Sequence, residues 1–421
     1  MVERGRAGPD AAARRYYSGV PRIATATCSG LTAVVVALAS MWLVPPRVVA
    51  AQMPGPSLLA SGTMDLRWTA PLELAPGTTP DFDEQAAFVV ARDGTLARVD
   101  LERGVVDWQV AAATALSPSV GGGLVYVAGA DGVEGHDATD GALVWRRALP
   151  GPAARRPYWD TGWLIVSLES GDLVALRASD GAPVWQVALG AAVQVPPAPS
   201  LDNLYLGLSD GRTVALALAT GRPVWTRTFD GQATGLTALD DQLLVGTTGG
   251  ALYSLDLLSG RPRWRLRLGA AVSGAPAADD RRIYVVAFDH VLRALSRGSG
   301  SLQWRQGLPH RPAGGPVLLG GAVLVPTYAN ELAGYATATG EPSVSLSSAS
   351  EVIGATQVRV GGRVTGTRLT AVTTEGRLVG FAPRIEPAPA PLADLPGTPV
   401  PEPPPPSTGP PQPPPADRDA R

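Results

Sequence analysis

A chain of 421 residues with 49 Gly, 41 Pro and only 6% aromatic residues suits many short strands joined by tight turns, and helical periodicity is nearly absent. Its formal charge of −2 supplies no global field to draw nucleic acid or an anionic membrane surface. All 35 basic residues are Arg, which beside so much Ala, Gly and Pro reflects a GC-rich coding bias, and the single cysteine, Cys28, excludes a disulfide within the fold.

Five Arg (4, 6, 14, 15 and 22) precede the apolar run LTAVVVALASMWLV at 31–44, and no charge falls between Arg22 and Arg47. That bias keeps the N-terminus cytoplasmic and sends everything after residue 47 outward. Val48-Val49-Ala50 before Ala51 resembles a small-residue cleavage site, so a secretory signal peptide is expected in residues 1–51. The uncharged stretch 23–46 is also long enough to stay as a membrane anchor. Cys28 precedes the apolar core and therefore cannot be the acylated cysteine of a lipoprotein signal.

Beyond the leader a tryptophan ladder begins. Trp68, Trp108, Trp145, Trp185, Trp225, Trp264 and Trp304 follow one another at steps of 40, 37, 40, 40, 39 and 40 residues. Gly104, Gly141, Gly181, Gly221, Gly260 and Gly300 each stand four residues before a Trp; Gly340 continues the series, with Val344 in the Trp slot. Each unit reads as four strands: an inner one, an apolar second strand such as LVYVA (124–128) or IYVVA (283–287), a third such as LVALR (173–177), and an outer strand carrying the Trp. A period near 40 with four strands per unit is the mark of propeller blades. Turn signals such as Asp93-Gly94, Asp131-Gly132 and Asp210-Gly211 fall just before the third strands, where tight hairpins need positive φ.

The outer strands differ from the rest. In Arg263-Trp264-Arg265-Leu266-Arg267-Leu268 only alternate residues are apolar, and Pro183, Pro223, Pro262 and Pro342 open four such strands, which places them at the rim. The ladder starts on an outer strand, 65–70, that has no partners before it, and stops after a second and third strand (369–372 and 378–382) with no fourth. The two fragments complete one blade, so residues 52–384 are expected to form an all-β, eight-bladed propeller of four-stranded antiparallel blades closed by the N-terminal strand. Ten residues before most Trp lies a small residue (Gly135, Ala175, Ala215, Ser254, Ala294), expected to leave room for an indole from the adjacent blade. An indole burying ~200 Å² at ~25 cal/mol/Å² would contribute at most about 5 kcal/mol per contact, which makes the Trp residues ring fasteners. Residues 385–421 hold 15 prolines and are expected to be polyproline II or disordered, with a reach on the order of 100 Å at ~3.1 Å per residue.

The unit A-x-D-x-x-x-G-x-x-x-W, seen in ALRASDGAPVW (175–185) and SLDLLSGRPRW (254–264), resembles the tryptophan-docking repeat of quinoprotein-like (PQQ-like repeat) propellers. One branch of that superfamily, the quinoprotein alcohol dehydrogenases, implies pyrroloquinoline quinone and calcium at the ring centre beneath a pair of adjacent cysteines. No such pair exists here, and His136, His290 and His310 lie in three different repeats with no metal-ligand spacing. The other branch, the B subunit of the outer-membrane β-barrel assembly machinery, implies an exported, noncatalytic, eight-bladed scaffold; LPHRPAGGPVLLGGAVLV (308–325) is similar to the corresponding repeat there. This sequence departs from that branch in lacking the lipoprotein cysteine and in short loops at 189–198 and 229–238.

Three functions follow as expectations. The first is a noncatalytic extracytoplasmic scaffold with no catalytic residue, cofactor or metal, that binds a protein partner in the cell envelope. Its most distinctive loop is RRALPGPAARRPYWD (146–160), where Arg146, Arg147, Arg155, Arg156, Tyr158 and Trp159 supply the residue types that anchor interfaces. The alternatives are a quinone-dependent dehydrogenase and a membrane-anchored sensor or carbohydrate-binding propeller.

Overall fold

Period-two strands broken by Gly-containing turns every few residues leave the chain one way to pair, each strand with its sequence neighbour, and the result is a series of meanders. The computed structural model describes residues 64–112, 114–200, 202–347, 352–359 and 368–383. The leader, Cys28 and the proline-rich tail lie outside the described residues. Within them, strands assemble into eight four-stranded antiparallel sheets. Seven blades run in strict chain order; the third, for example, comprises Tyr158–Asp160, Trp163–Ser167, Asp172–Arg177 and Pro183–Ala188.

The eighth blade takes its inner three strands from Val352–Arg359, Arg368–Thr373 and Arg377–Pro383 and its outer strand from Met64–Glu73. Trp68 stands opposite Gly380 and Met64 opposite Pro383 across that joint. The closing strand is longer than the expected 65–70 and is kinked by irregularities between Leu66 and Trp68 and between Thr69 and Glu73, which let it follow the twist of its neighbour. Chain entry at Met64 and exit at Pro383 are therefore side by side, on the face that carries the turns between third and outer strands. The opposite face carries the loops that link one blade's outer strand to the next blade's inner strand.

Stability resides between blades. Tyr126, Ala128 and Val133 of the second blade pack with Leu164, Val166 and Leu168 of the third, and equivalent layers repeat round the ring. The closing joint is built the same way, with Ala70, Leu74, Val372 and Leu378 against Ala87, Val89, Val99 and Leu101 of the first blade. Because neighbouring blades cover both sides of each sheet, second strands such as Ala86–Val90 and Gln242–Thr247 are buried throughout, whereas the outer strand Pro262–Arg267 alternates between covered and exposed positions.

The ladder residues join these layers by a contact different from the expected one. Each small residue ten positions before a Trp faces the indole of its own blade: Gly135 pairs with Trp145, Ala175 with Trp185 and Ser254 with Trp264. In the eighth blade Gly380 takes that place against Trp68. Antiparallel register puts these residues directly opposite, so a larger side chain would collide with the indole before any neighbour arrived. Contact with the next blade is made by the ladder glycines. Trp68 lies on Gly104, Trp108 on Gly141, Trp145 on Gly181, Trp185 on Gly221, Trp225 on Gly260, Trp264 on Gly300 and Trp304 on Gly340. At Gly181 the backbone has φ +66, and an added Cβ would stand 2.6 Å from the Trp145 ring. Conformation and space thus both require glycine.

Indole nitrogens complete the joint by donating to the next blade: Trp145 to the Ala178 carbonyl at 3.0 Å, Trp185 to Leu218 at 2.8 Å, Trp225 to Leu257 at 2.9 Å and Trp304 to Thr337 at 3.0 Å. Trp264 breaks the series, since its Nε1 is buried without an acceptor. The carbonyl in the matching position, Arg297, accepts instead from Gln242 Nε2 at 3.2 Å.

Candidate functional site

On the loop face, six of the linking segments carry a proline just before the inner strand: Pro80, Pro118, Pro157, Pro197, Pro276 and Pro316. Proline fixes φ there and starts a strand whose amide needs no partner, so the two residues ahead of it are held along the rim of the ring. Those pairs divide the rim into two unlike halves. In the sixth and seventh blades they are Gly274-Ala275 and Gly314-Gly315, and the loop backbones touch: an added Cβ at Gly274 would meet the Gly315 nitrogen at 2.3 Å, and one at Gly315 would meet the Ala275 oxygen at 2.2 Å. Gly235 of the fifth blade approaches Ala275 as closely. In the first four blades the pairs are Thr78-Thr79, Leu116-Ser117, Arg155-Arg156 and Val195-Pro196, whose larger side chains replace the direct backbone contacts; the Thr79 amide, for example, donates to the Ser117 hydroxyl at 2.8 Å.

The space between them is a cavity of about 530 Å³. Its walls combine Leu116, Ile165, Leu173, Val193, Pro196 and Pro197 with Thr79, Ser117, Ser167, Tyr158, Arg155 and Arg156, and no carboxylate lines it. Arg155 donates from Nε to the Val193 carbonyl at 2.8 Å, which fixes its guanidinium across the gap between the third and fourth blades. Among the described residues it forms no ion pair. Arg156 is neutralised by Asp81 of the first blade at 3.2 Å, and the same carboxylate oxygen accepts from the Val120 amide at 2.9 Å. Burial, with a contribution from Asp160, pushes the Tyr158 hydroxyl far above its ordinary pKa, so it stays a proton donor. Burial likewise raises the Asp160 carboxyl.

The loop singled out from sequence does not act as one surface. Arg146 and Arg147 belong to the exposed outer strand Leu143–Arg147, where Arg146 pairs with Glu134 at 2.6 Å and Arg147 donates to the Gly181 carbonyl of the next blade at 3.0 Å. Arg227 reaches the Gly260 carbonyl in the same way at 3.2 Å, so Arg147 belongs with the blade joints. Arg155, Arg156 and Tyr158 come together at the cavity. Trp159 turns aside onto Gly121 and Gly122 of the second blade, its Nε1 buried without a partner. Sequence reasoning missed Thr79, Ser117 and Val193; the recurring rim proline was the signal that could have found them.

The histidines are scattered. His136 is buried between Glu134 and the Gly141 carbonyl, each 3.0 Å away, His290 sits in a hairpin turn at φ +61, and His310 lies in the loop before the seventh blade. The cavity does not fit pyrroloquinoline quinone with calcium, because three quinone carboxylates would face one unpaired guanidinium and its walls carry no carboxylate to neutralise a divalent cation.

Fold and repeat together define a PQQ-like eight-bladed propeller. The profile of the family described as outer membrane protein assembly factor BamB matches residues 46–133, 130–239 and 209–384, and the chain belongs to that family. Among solved structures, BamB from Moraxella catarrhalis superposes with a TM-score of 0.62 at 19% identity, covering 76% of this chain and 99% of its own. Quinohemoprotein alcohol dehydrogenase from Comamonas testosteroni gives 0.63 at 15% identity over 76% of each chain, and the computationally designed Ika8 protein 0.64 at 13% identity over 75% of this chain and 98% of its own. At these identities the likeness is one of fold. No curated protein matches the sequence significantly.

Proposed function

We propose that the protein is a noncatalytic, exported scaffold that docks a protein partner in the cell envelope through the loop face of its propeller. The observation that carries this reading is membership of the assembly-factor family across 46–384, a span that includes all eight blades. Topology supports it: the described chain enters at Met64 and leaves at Pro383 side by side on the face opposite the loops. The charge-biased leader supports export.

Affinity capture tests the reading. The chain, tagged at its C-terminus and expressed in its own cell type, is recovered from detergent-solubilised envelopes and its partners identified by mass spectrometry. Outer-membrane barrel-assembly components are expected to co-purify, and their repeated absence would overturn the partner assignment. Dye-linked oxidation of alcohols or sugars by the protein incubated with pyrroloquinoline quinone and calcium would overturn the noncatalytic part.

A further inference from the structure

The cavity between the first four blades has a composition that a structural void does not need. Ring closure is secured elsewhere, by the Trp–Gly joints and the apolar layers between blades. In the sixth and seventh blades the equivalent loops close on one another through Gly274 and Gly315, and Gly235 of the fifth blade packs against Ala275. At about 530 Å³ the cavity falls within the range of small-molecule sites, roughly 300 to 1,000 Å³.

Its polar groups are few and converge. Arg155 is anchored through Nε alone, which leaves the outer edge of its guanidinium unmatched, while the neighbouring Arg156 already has Asp81. The Tyr158 and Ser167 hydroxyls have no hydrogen-bond partner among the described residues, and both line the cavity. A partly covered guanidinium without an anion is costly, and a carboxylate is the planar group its paired N–H donors match. The remaining walls, Leu116, Ile165, Leu173 and Val193, offer an anion nothing but would cover an apolar body.

We propose that this cavity binds a small monocarboxylate with an apolar body, its carboxylate on Arg155 and its hydrocarbon part against Ile165, Leu173 and Val193. One unmatched cation calls for one negative charge, which sets the ligand apart from the tricarboxylate quinone. The site stands whether or not the loop face also docks a protein, so loss of the partner assignment in affinity capture leaves it untouched.

Isothermal titration of the full chain with 4-phenylbutyrate tests it, beside 4-phenylbutanol, pyrroloquinoline quinone and a short peptide ending in a free leucine carboxylate. The acid is expected to bind saturably with a Kd of about 1 mM or tighter. The alcohol and the Arg155→Gln variant should each weaken binding by roughly tenfold or more, as loss of a charge-assisted pair requires. Ala115→Trp, an exposed position at the cavity mouth, should abolish binding while leaving the circular dichroism spectrum unchanged. Absence of saturable binding by the acid, equal binding of acid and alcohol, or indifference to Arg155→Gln would each overturn the proposal. So would binding of the peptide or the quinone without the small acid. Should Ala115→Trp fail to fold, the comparison of acid with alcohol on the unmodified chain still decides.

Discussion

Substituting Gly181 by Ala separates the two demands the ladder glycines meet. The new Cβ would stand 2.6 Å from Cε3 and 2.7 Å from Cζ3 of Trp145, so the indole must move. The left-handed backbone at φ +66 costs an L-residue about 1 to 2 kcal/mol. Displacing a packed ring costs about 1 to 3 kcal/mol more, and the shift weakens the bond from Trp145 Nε1 to Ala178, set at 3.0 Å, by about 1 kcal/mol. The expected loss is therefore about 3 to 6 kcal/mol. Two controls resolve it. Gly77 shares the positive φ, +76, but has nothing within 4 Å of an added Cβ, so Gly77→Ala should cost only the backbone's share of about 1 to 2 kcal/mol. Gly298 has open space and no positive φ, so its substitution should be neutral within about 0.5 kcal/mol. Urea unfolding followed by tryptophan fluorescence measures all three. If Gly181→Ala were no worse than Gly77→Ala, the indole would not be clamped between blades, and the ladder's role as a fastener would be lost.

Other consequences are open to measurement. His290 holds φ +61 in a turn where four other blades place Gly94, Gly171, Gly211 and Gly250, so His290→Gly should stabilise the protein by about 0.5 to 1 kcal/mol in the same unfolding assay; a loss of stability would show that the imidazole makes a compensating contact. Trp264 has no acceptor to lose whereas Trp304 donates to Thr337, so Trp304→Phe should cost about 1 kcal/mol more than Trp264→Phe, and equal costs would contradict it. Although burial opposes it, pairing with Arg293 holds the Asp289 carboxyl below its ordinary 3.8, and pairing with Arg263 and Arg297 does the same for Asp241. A depressed folded pKa contributes stability that is present above 3.8 and disappears as pH falls through the folded value. The thermal midpoint should thus drop as pH falls below 3.8, less steeply in Asp289→Asn; a midpoint that stays level there would refute the assignment.

How much the ladder discloses depends on what each of its residues must satisfy. Trp and Gly recur because seven of the joints use both at a fixed offset, so spacing alone yields eight blades, and the truncated first and last repeats yield a closing strand at 65–70, which the structure lengthens to Met64–Glu73. Spacing is silent on which partner a residue meets, since ten positions before the Trp is equally consistent with a neighbour in the same blade or the next. Register decides in favour of the same blade, as at Ala175 and Trp185. The loop 146–160 misleads for a related reason: its arginines look like one cluster in sequence, but a strand end and a strand start on adjacent blades diverge, leaving Arg147 on a blade joint and Arg155 at the cavity. The cavity itself is encoded in the two residues before each rim proline, where bulky pairs alternate with nothing that stands out in a single repeat. Only when blades are compared round the ring do Gly274-Ala275 and Gly314-Gly315 read as closure and Arg155-Arg156 and Val195-Pro196 as an opening. The seven tryptophan joints demand uniformity at the outer strands, and an apolar layer around Val344 and Leu346 serves for the eighth; the inner rim is under no such demand, and there a difference of two side chains per blade opens a cavity on one side.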